Sequence, residues 1–312
     1  MPNKLFKREW KVTAYRPTAG TPNGFIAAHP SYFEGLTNGV EITKLRIQVK
    51  IEKHTDGDPN TCELVITNLN SGSRADLVKK PLIVRIDAGY VEDGGARHLF
   101  TGDLRYGYSK RNGTDWETTL QLADGSRAFA GARISRTYRK GTSVMTALRD
   151  AAAGIGLSLP SDVVASPDLQ RQFASSRTLH GDAYVEMQKL LAPYGYSVSI
   201  QDGRLQILTD DTTRPDQAYV ISQDTGLIGS PEIGAPPKDG SAPILTFQSM
   251  LYPQITPGGK CSVQSESIDG IFRAERVTHT LDSHGAPWTT EVEAKPTDSH
   301  HKVQKQPKQK AY

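Results

Sequence analysis

A mainly β protein, α+β overall, is what three features of this 312-residue sequence predict. Segments of alternating apolar and polar residues fill residues 1–130 and return over 218–296. A helical period occurs between 131 and 217. A strand–turn–strand unit is present twice, which suggests two β-barrel modules with a small α+β insert between them. The expected division is 1–130 for a first barrel, 131–217 for the insert, 218–296 for a second barrel and 297–312 for a basic tail.

The first strand signal is Leu45–Ile51, whose apolar side chains fall on odd positions so that one face packs and the other stays wet. Val40 and Ile42 lie on even positions, and this change of phase at Thr43-Lys44 predicts a bulge or a strand break. The turn Asp56–Asn60 leads into Cys62–Ile66. A short helix is expected at Arg74–Lys79, capped by Ser71 or Ser73. Strands follow at Leu82–Ala88, Leu99–Tyr108 and Trp116–Leu122, closed by Asp124-Gly125. Residues 16–39, rich in Gly and Pro, read as a long loop.

In the insert, Thr142 or Ser143 can cap a helix that puts Val144, Ala147, Leu148 and Ala151 on one face and stops near Gly154-Ile155-Gly156. Asp182 can cap a second helix with Ala183, Met187, Leu190 and Leu191 inward, ended by Pro193. Tyr196–Ile200 and Arg204–Leu208 flank Gln201-Asp202-Gly203, where Asp-Gly supplies the positive φ angles of a tight hairpin turn.

The repeat emerges when Phe100–Leu122 is placed over Phe272–Ala294 at an offset of 172 without gaps. Phe100 falls on Phe272, Asp103 on Glu275, Gly113 on Gly285, Trp116 on Trp288, Thr118 on Thr290 and Leu120 on Val292. Two of the three tryptophans thus share one place. Two unrelated hairpins with a Gly-x-x-Trp corner are the competing explanation. The less polar positions stay even through Leu104 and Tyr106 but turn odd at Val277, His279 and Leu281, which a bulge in either copy would account for.

Charge and chemistry narrow the function. The net charge is +3, and residues 297–312, with four Lys and one Asp, account for all of it. A neutral body lacks the electrostatic footprint of a nucleic-acid binder. Cys62 and Cys261 form neither a disulfide framework nor a metal cluster, so a reducing compartment is expected. No apolar run approaches a bilayer span and no secretory leader is expected, so membrane insertion by this chain is not. Phosphate-loop, nucleophile-elbow and zincin motifs are missing. Asp56-x-Asp58-x-Asn60 opens like a calcium loop, but Thr61 replaces its glycine and Thr67 its bidentate Glu, which favours a turn. His279 and His284 precede the second Trp corner, where packing is the simpler role. No catalytic, cofactor-binding or metal-binding residue is nominated, and no cofactor is expected.

Several segments occur in the order of one family. They are Lys44–Glu52 (KLRIQVKIE), Pro59-Asn60, Glu63–Leu69 (ELVITNL), Ala88-Gly89-Tyr90, Leu99–Asp103 (LFTGD), Asp115-Trp116 and Ala123-Asp124-Gly125. Gly226–Glu232, Leu251–Gly258, Val277–Ser283 and Trp288–Thr290 extend the match to residues 5–296. The chain resembles the tail (baseplate) hub proteins of tailed bacteriophages, the protein D group, which are related to the base of type VI secretion spikes. The resemblance implies two tube-type β-barrels per subunit in a structural, non-enzymatic homotrimer at the virion tail tip, assembled in the host cytoplasm. Such a ring continues the tail tube and joins it to a central spike or fibre. Implied partners are the tail tube or distal tail protein, the spike or fibre, and the tape-measure protein in the channel. Viral DNA would pass through during ejection without specific binding. A tail-associated cell-wall hydrolase and the base of a secretion spike are the alternatives. Interface or structural candidates are Trp116, Trp288, Tyr90, Phe100 and Phe272.

Overall fold

The structure, a computed structural model, describes residues 7–16, 39–124, 131–209, 212–214, 218–235 and 242–297. The loop expected at 16–39 and the tail at 297–312 fall almost wholly outside the described residues, as does the Gly125 turn end. Strand accounts for 52% and helix for 18% of the described residues, a mainly β fold, α+β overall, as expected.

The N-terminal part contains β1 (Arg8–Tyr15), β2 (Val40–Ile42), β3 (Ile47–His54), β4 (Thr61–Thr67), α1 (Ser71–Leu77), β5 (Ile83–Tyr90), β6 (Gly95–Asn112) and β7 (Asp115–Ala123). The middle contains β8 (Arg133–Tyr138), α2 (Val144–Ile155), α3 (Ser161–Val164), β9 (Arg177–Asp182), α4 (Ala183–Leu191), β10 (Tyr196–Gln201) and β11 (Arg204–Thr209). The last part contains β12 (Tyr219–Ser222), β13 (Leu227–Ile233), β14 (Leu245–Met250), β15 (Lys260–Gln264), β16 (Asp269–Asp282) and β17 (Trp288–Pro296).

Thirteen strands form one sheet in the order β13-β14-β17-β16-β3-β4-β7-β6-β5-β1-β2, with β15 joining β16 and β12 pairing parallel to β15. The order contains the same antiparallel unit twice. β3-β4-β7-β6-β5 and β13-β14-β17-β16-β15 have identical sequence order, spatial order and strand sense. The duplication inferred from two hairpins therefore extends to five strands each. A cluster containing Val12, Ile42, Ile51, Leu64, Ile86, Phe100 and Leu120 draws on strands from β1 to β7, so this part of the sheet wraps round a single core. A separate cluster with Ile221, Phe247, Cys261, Phe272, Val277 and Val292 fills the second unit.

The repeat alignment needs one correction. Both long strands carry a bulge, at Arg105 in β6 and at Glu275 in β16. Leu104 opposite Leu122 and Ala274 opposite Ala294 are the last pairs before each bulge. β17 thus matches β7 at the offset of 172, but β16 matches β6 at 170, and the extra two residues lie in the second hairpin turn. Phe272 accordingly falls on Gly102, not on Phe100. A Cβ on Gly102 would lie 2.7 Å from Cε1 of Phe100, so the Phe100 ring covers the spot that Phe272 fills directly. Tyr106 is not on the core face as the alternation suggested; it is 58% exposed, because the Arg105 bulge switches the inward phase to Gly107.

The insert follows its sequence signals closely. Ser143 caps α2 through its Oγ, which accepts from Thr146 N at 3.2 Å, and Gly156 ends the helix with φ +85°. Asp182 caps α4 by accepting from the amides of Tyr184 and Val185. Asp202 (φ +51°) and Gly203 (φ +75°) form the β10–β11 turn. The early helix departs by three residues: α1 begins at Ser71 and is capped by Asn70, whose Oδ1 accepts from Ser73 N at 2.8 Å. Asn is as good an N-cap as Ser, and here it lies one residue ahead of Ser71 and three ahead of Ser73.

Candidate assembly interface

The two five-stranded units meet inside the chain where β16 pairs antiparallel with β3, from Arg276 opposite His54 to Asp282 opposite Gln48. Asp282 anchors this junction. Its carboxylate accepts from Arg46 Nη2 at 2.7 Å and Nε at 3.2 Å, from Gln48 Nε2 at 3.1 Å, and from the amides of His284 and Gly285 at 2.9 Å each. Hydrogen bonding to Arg46 outweighs burial and lowers its pKa to about 2. Arg8 of β1 clamps the following turn by donating to the carbonyls of Asp282, Gly285 and Ala286.

The two corner tryptophans occupy equivalent positions, Trp116 opposite Arg111 and Trp288 opposite Leu281. Their surroundings differ. Trp288 is 3% exposed and belongs, with Leu281 and Leu251, to the core cluster of the first unit, so it crosses the junction. Arg8 lies 5.2 Å from its ring, and its carbonyl accepts from the Tyr90 hydroxyl at 3.5 Å. Trp116 is 37% exposed, with the Arg74 guanidinium stacked 3.9 Å from its ring. Tyr90 and Phe100 are buried in the first cluster and Phe272 in the second. The equivalent Thr118 and Thr290 each bond across the hairpin, to Ser109 at 3.0 Å and to His279 Nδ1 at 2.9 Å. Burial, with help from Lys53, lowers the His279 pKa to about 3, so the imidazole is a neutral packed group.

A buried polar seam joins the insert to the first unit. Lys53, 2% exposed, donates to both oxygens of Asp202 at 2.8 and 3.0 Å. Asp124 Oδ2 accepts from Asp202 N at 2.6 Å. Burial and the Asp202 charge raise the Asp124 pKa to about 8. Asp202 itself is opposed by burial, but Lys53 and His98 prevail and hold it below the usual carboxylate value. Asn60 of the Asp56–Asn60 turn donates to Ile200 O and Gln201 Oε1 and accepts from His54 N. Sequence reasoning missed this seam because its charged partners are up to 149 residues apart.

Ser283 Oγ lies 2.9 Å from His284 Nδ1, next to Asp282, which invites comparison with a hydrolytic triad. The Asp282 carboxylate, however, is engaged by Arg46, Gln48 and two backbone amides, and Ser283 Oγ accepts from Ile47 N at 2.9 Å. These residues lock a turn. Burial pushes the Cys62 thiol up and the Cys261 thiol to about 12, which leaves both protonated. Among the described residues no group of His, Cys, Asp or Glu is placed to hold a metal ion. No described helix is long and apolar enough to cross a membrane.

No family model matches the chain, and no curated protein matches its sequence. Solved structures do share its fold. The 43 kDa tail protein of prophage MuSo2 from Shewanella oneidensis superposes with a TM-score of 0.61 at 9% identity, over 93% of this chain and 98% of that one. A tail protein from Neisseria meningitidis MC58 gives 0.57 at 11% identity, over 93% and 97%. The E. coli c3393 protein, a type VI secretion component similar to the T4 phage tail proteins gp27 and gp5, gives 0.54 at 12%, over 86% and 76%. The fold is thus one shared by phage tail proteins and a component of a type VI secretion system.

Proposed function

We propose that this chain is the structural hub of a bacteriophage tail: a homotrimeric ring that continues the tail-tube channel and joins it to a central spike or fibre. The observation that carries the reading is the duplicated five-stranded unit within one chain. A threefold object that meets a sixfold tube must present its contact module twice per subunit. Three copies supply six modules. The separate clusters of the two units, with a third in the insert around Val144, Leu148, Met187 and Leu191, support 1–130 and 218–296 as tube-type barrels around the 131–217 insert; residues 297–312, with four Lys and one Asp, are a basic tail in this reading. In this reading Tyr90, Phe100 and Phe272 hold the barrels, Trp288 holds the barrels together, and Trp116 faces a neighbour.

The ring would touch the tail tube or distal tail protein on one side and the spike or fibre on the other. Tape-measure protein and then viral DNA would occupy its channel, in the virion tail tip of particles assembled in the host cytoplasm. A body without net charge suits a conduit, since a strongly basic lumen would retain DNA through its phosphates. The hub acts without catalysis. The likeness to the E. coli secretion component supports a second reading, the base of a secretion spike, and genomic neighbourhood separates the two.

Light scattering on the purified chain and cryo-electron microscopy of native tails test the ring. A trimer with a central channel and six barrel-like densities is expected. A monomer at micromolar concentration, with no threefold ring in the tail, overturns the reading. Peptidoglycan cleavage that depends on one acidic residue would overturn the non-enzymatic part.

A further inference from the structure

The chain contains one junction between its two units and the unused halves of a second. At the internal junction β16 uses both edges: β17 lies along one, and β15 followed by β3 along the other. β6 is equivalent to β16, yet β5 covers its second edge only over Gly95–Asp103. Along Arg105–Asn112 that edge has no strand partner among the described residues. β13 is equivalent to β3. It pairs with β14 on one side and ends the sheet on the other. Among the described residues, therefore, no strand takes on β6 the position that β3 fills on β16, and the strand that matches β3 has its second edge unpaired.

The geometry points to a head-to-tail contact between copies of this chain, in which β13 of one copy adds antiparallel to the Arg105–Asn112 edge of β6 in the next. This contact rests on the ring proposed above and closes it. The internal junction fixes the register. Lys50 lies opposite Thr280, the equivalent of Lys50 in the second unit is Glu232, and the equivalent of Thr280 in the first is Lys110. The new pairing therefore sets Lys110 opposite Glu232, two exposed side chains of opposite charge with no ion-pair partner among the described residues. Asn112 falls opposite Ile228, which is 40% exposed. Trp116 would be covered by the neighbour's second barrel, as Trp288 is covered by the first barrel of its own chain.

β13 is also built to refuse other partners. Three residues, Gly229, Ser230 and Pro231, stand where β3 has Val49 alone, and Gly229 has φ +70°. A bulge and a proline on an edge strand prevent indiscriminate pairing and restrict the register. A contact between different patches of the same chain is heterologous and yields a closed ring when its rotation closes.

The test mixes full-length chains carrying Lys110→Cys with chains carrying Glu232→Cys under mild oxidation. Directly opposed residues on antiparallel strands have Cβ atoms about 4.5–5.5 Å apart, close enough for a disulfide after a small adjustment. A linked dimer should form in the mixture and in neither variant alone, because Cys62 and Cys261 are buried. The double variant should give a ladder ending at three chains. In parallel, Lys110→Glu should weaken self-association by about threefold per contact, and Lys110→Glu with Glu232→Lys should restore it. A wild-type trimer without cross-linking and without rescue overturns this strand pairing and leaves the ring standing on another contact. A wild-type monomer, with no threefold ring in native tails, overturns both.

Discussion

Asp282 shows how one side chain can set the acid limit of a junction. Five donors hold its carboxylate, and its pKa is about 2 against an ordinary value of 3.8. A depressed carboxylate pKa stabilises the fold above its unfolded value, and that stabilisation is lost as pH falls through the folded one. Asp282→Asn should therefore lose about 2 kcal/mol at pH 7, a difference that shrinks between pH 4 and pH 2. Urea titrations across that window check it. The tryptophans give a second contrast. Trp288→Ala should lower the stability of the free chain by about 3–5 kcal/mol, the usual cost of emptying a buried aromatic site. Trp116→Ala should cost less than about 1 kcal/mol, the scale of an exposed cation–π contact. Equal losses in the two variants would contradict the difference in burial. Both tryptophans were visible in the sequence as a repeated corner, but their difference was not, because it depends on what lies across the junction. Asp282 was hidden for the same reason: Arg46 is 236 residues away.

At the scale of elements, the repeat was legible in outline and mis-set in detail. The Trp, Thr and aliphatic positions of β7 and β17 align without adjustment because alternation along one strand is local. The partner strands did not align, because a two-residue difference in turn length leaves no local trace and each bulge reverses the side-chain phase. Gly107 now has a reason to be glycine. It matches Val277, but the end of α1 lies over it: a Cβ there would come within 3.1 Å of Val78 Cα and 3.2 Å of Leu120 Cδ2. Gly107→Val should destabilise the chain by about 1–3 kcal/mol through overpacking. Chemical denaturation measures this, and an unchanged midpoint would mean that α1 moves aside at no cost. The capping and turn residues of the insert were read correctly, since Ser143, Asp182 and Asp202-Gly203 act on neighbours within three residues.

For the whole molecule, the remaining question is what makes barrel and insert one body. The Lys53–Asp202 pair, with Asp124 beside it, links β3, the β10–β11 turn and the end of β7. A buried ion pair contributes little net stability compared with a hydrophobic pair of equal volume, but removing one partner leaves the other charge uncompensated at a cost of about 3–5 kcal/mol. Lys53→Met should therefore be strongly destabilising, because the buried Asp202 carboxylate loses the ammonium from which both its oxygens accept. Lys53→Met with Asp202→Asn removes both charges and should recover more than half of that loss. The recovery is a coupling between a barrel residue and an insert residue, and a double-mutant cycle isolates it. Hydrogen exchange adds the spatial readout: in Lys53→Met, amides of the β10–β11 hairpin should open before those of β3 and β4. If the single variant matches wild type, or if the double variant is no better than the single, the seam does not join the parts. The insert would then be held by its remaining contacts, among them Arg273 donating to the carbonyls of Thr209 and Thr212.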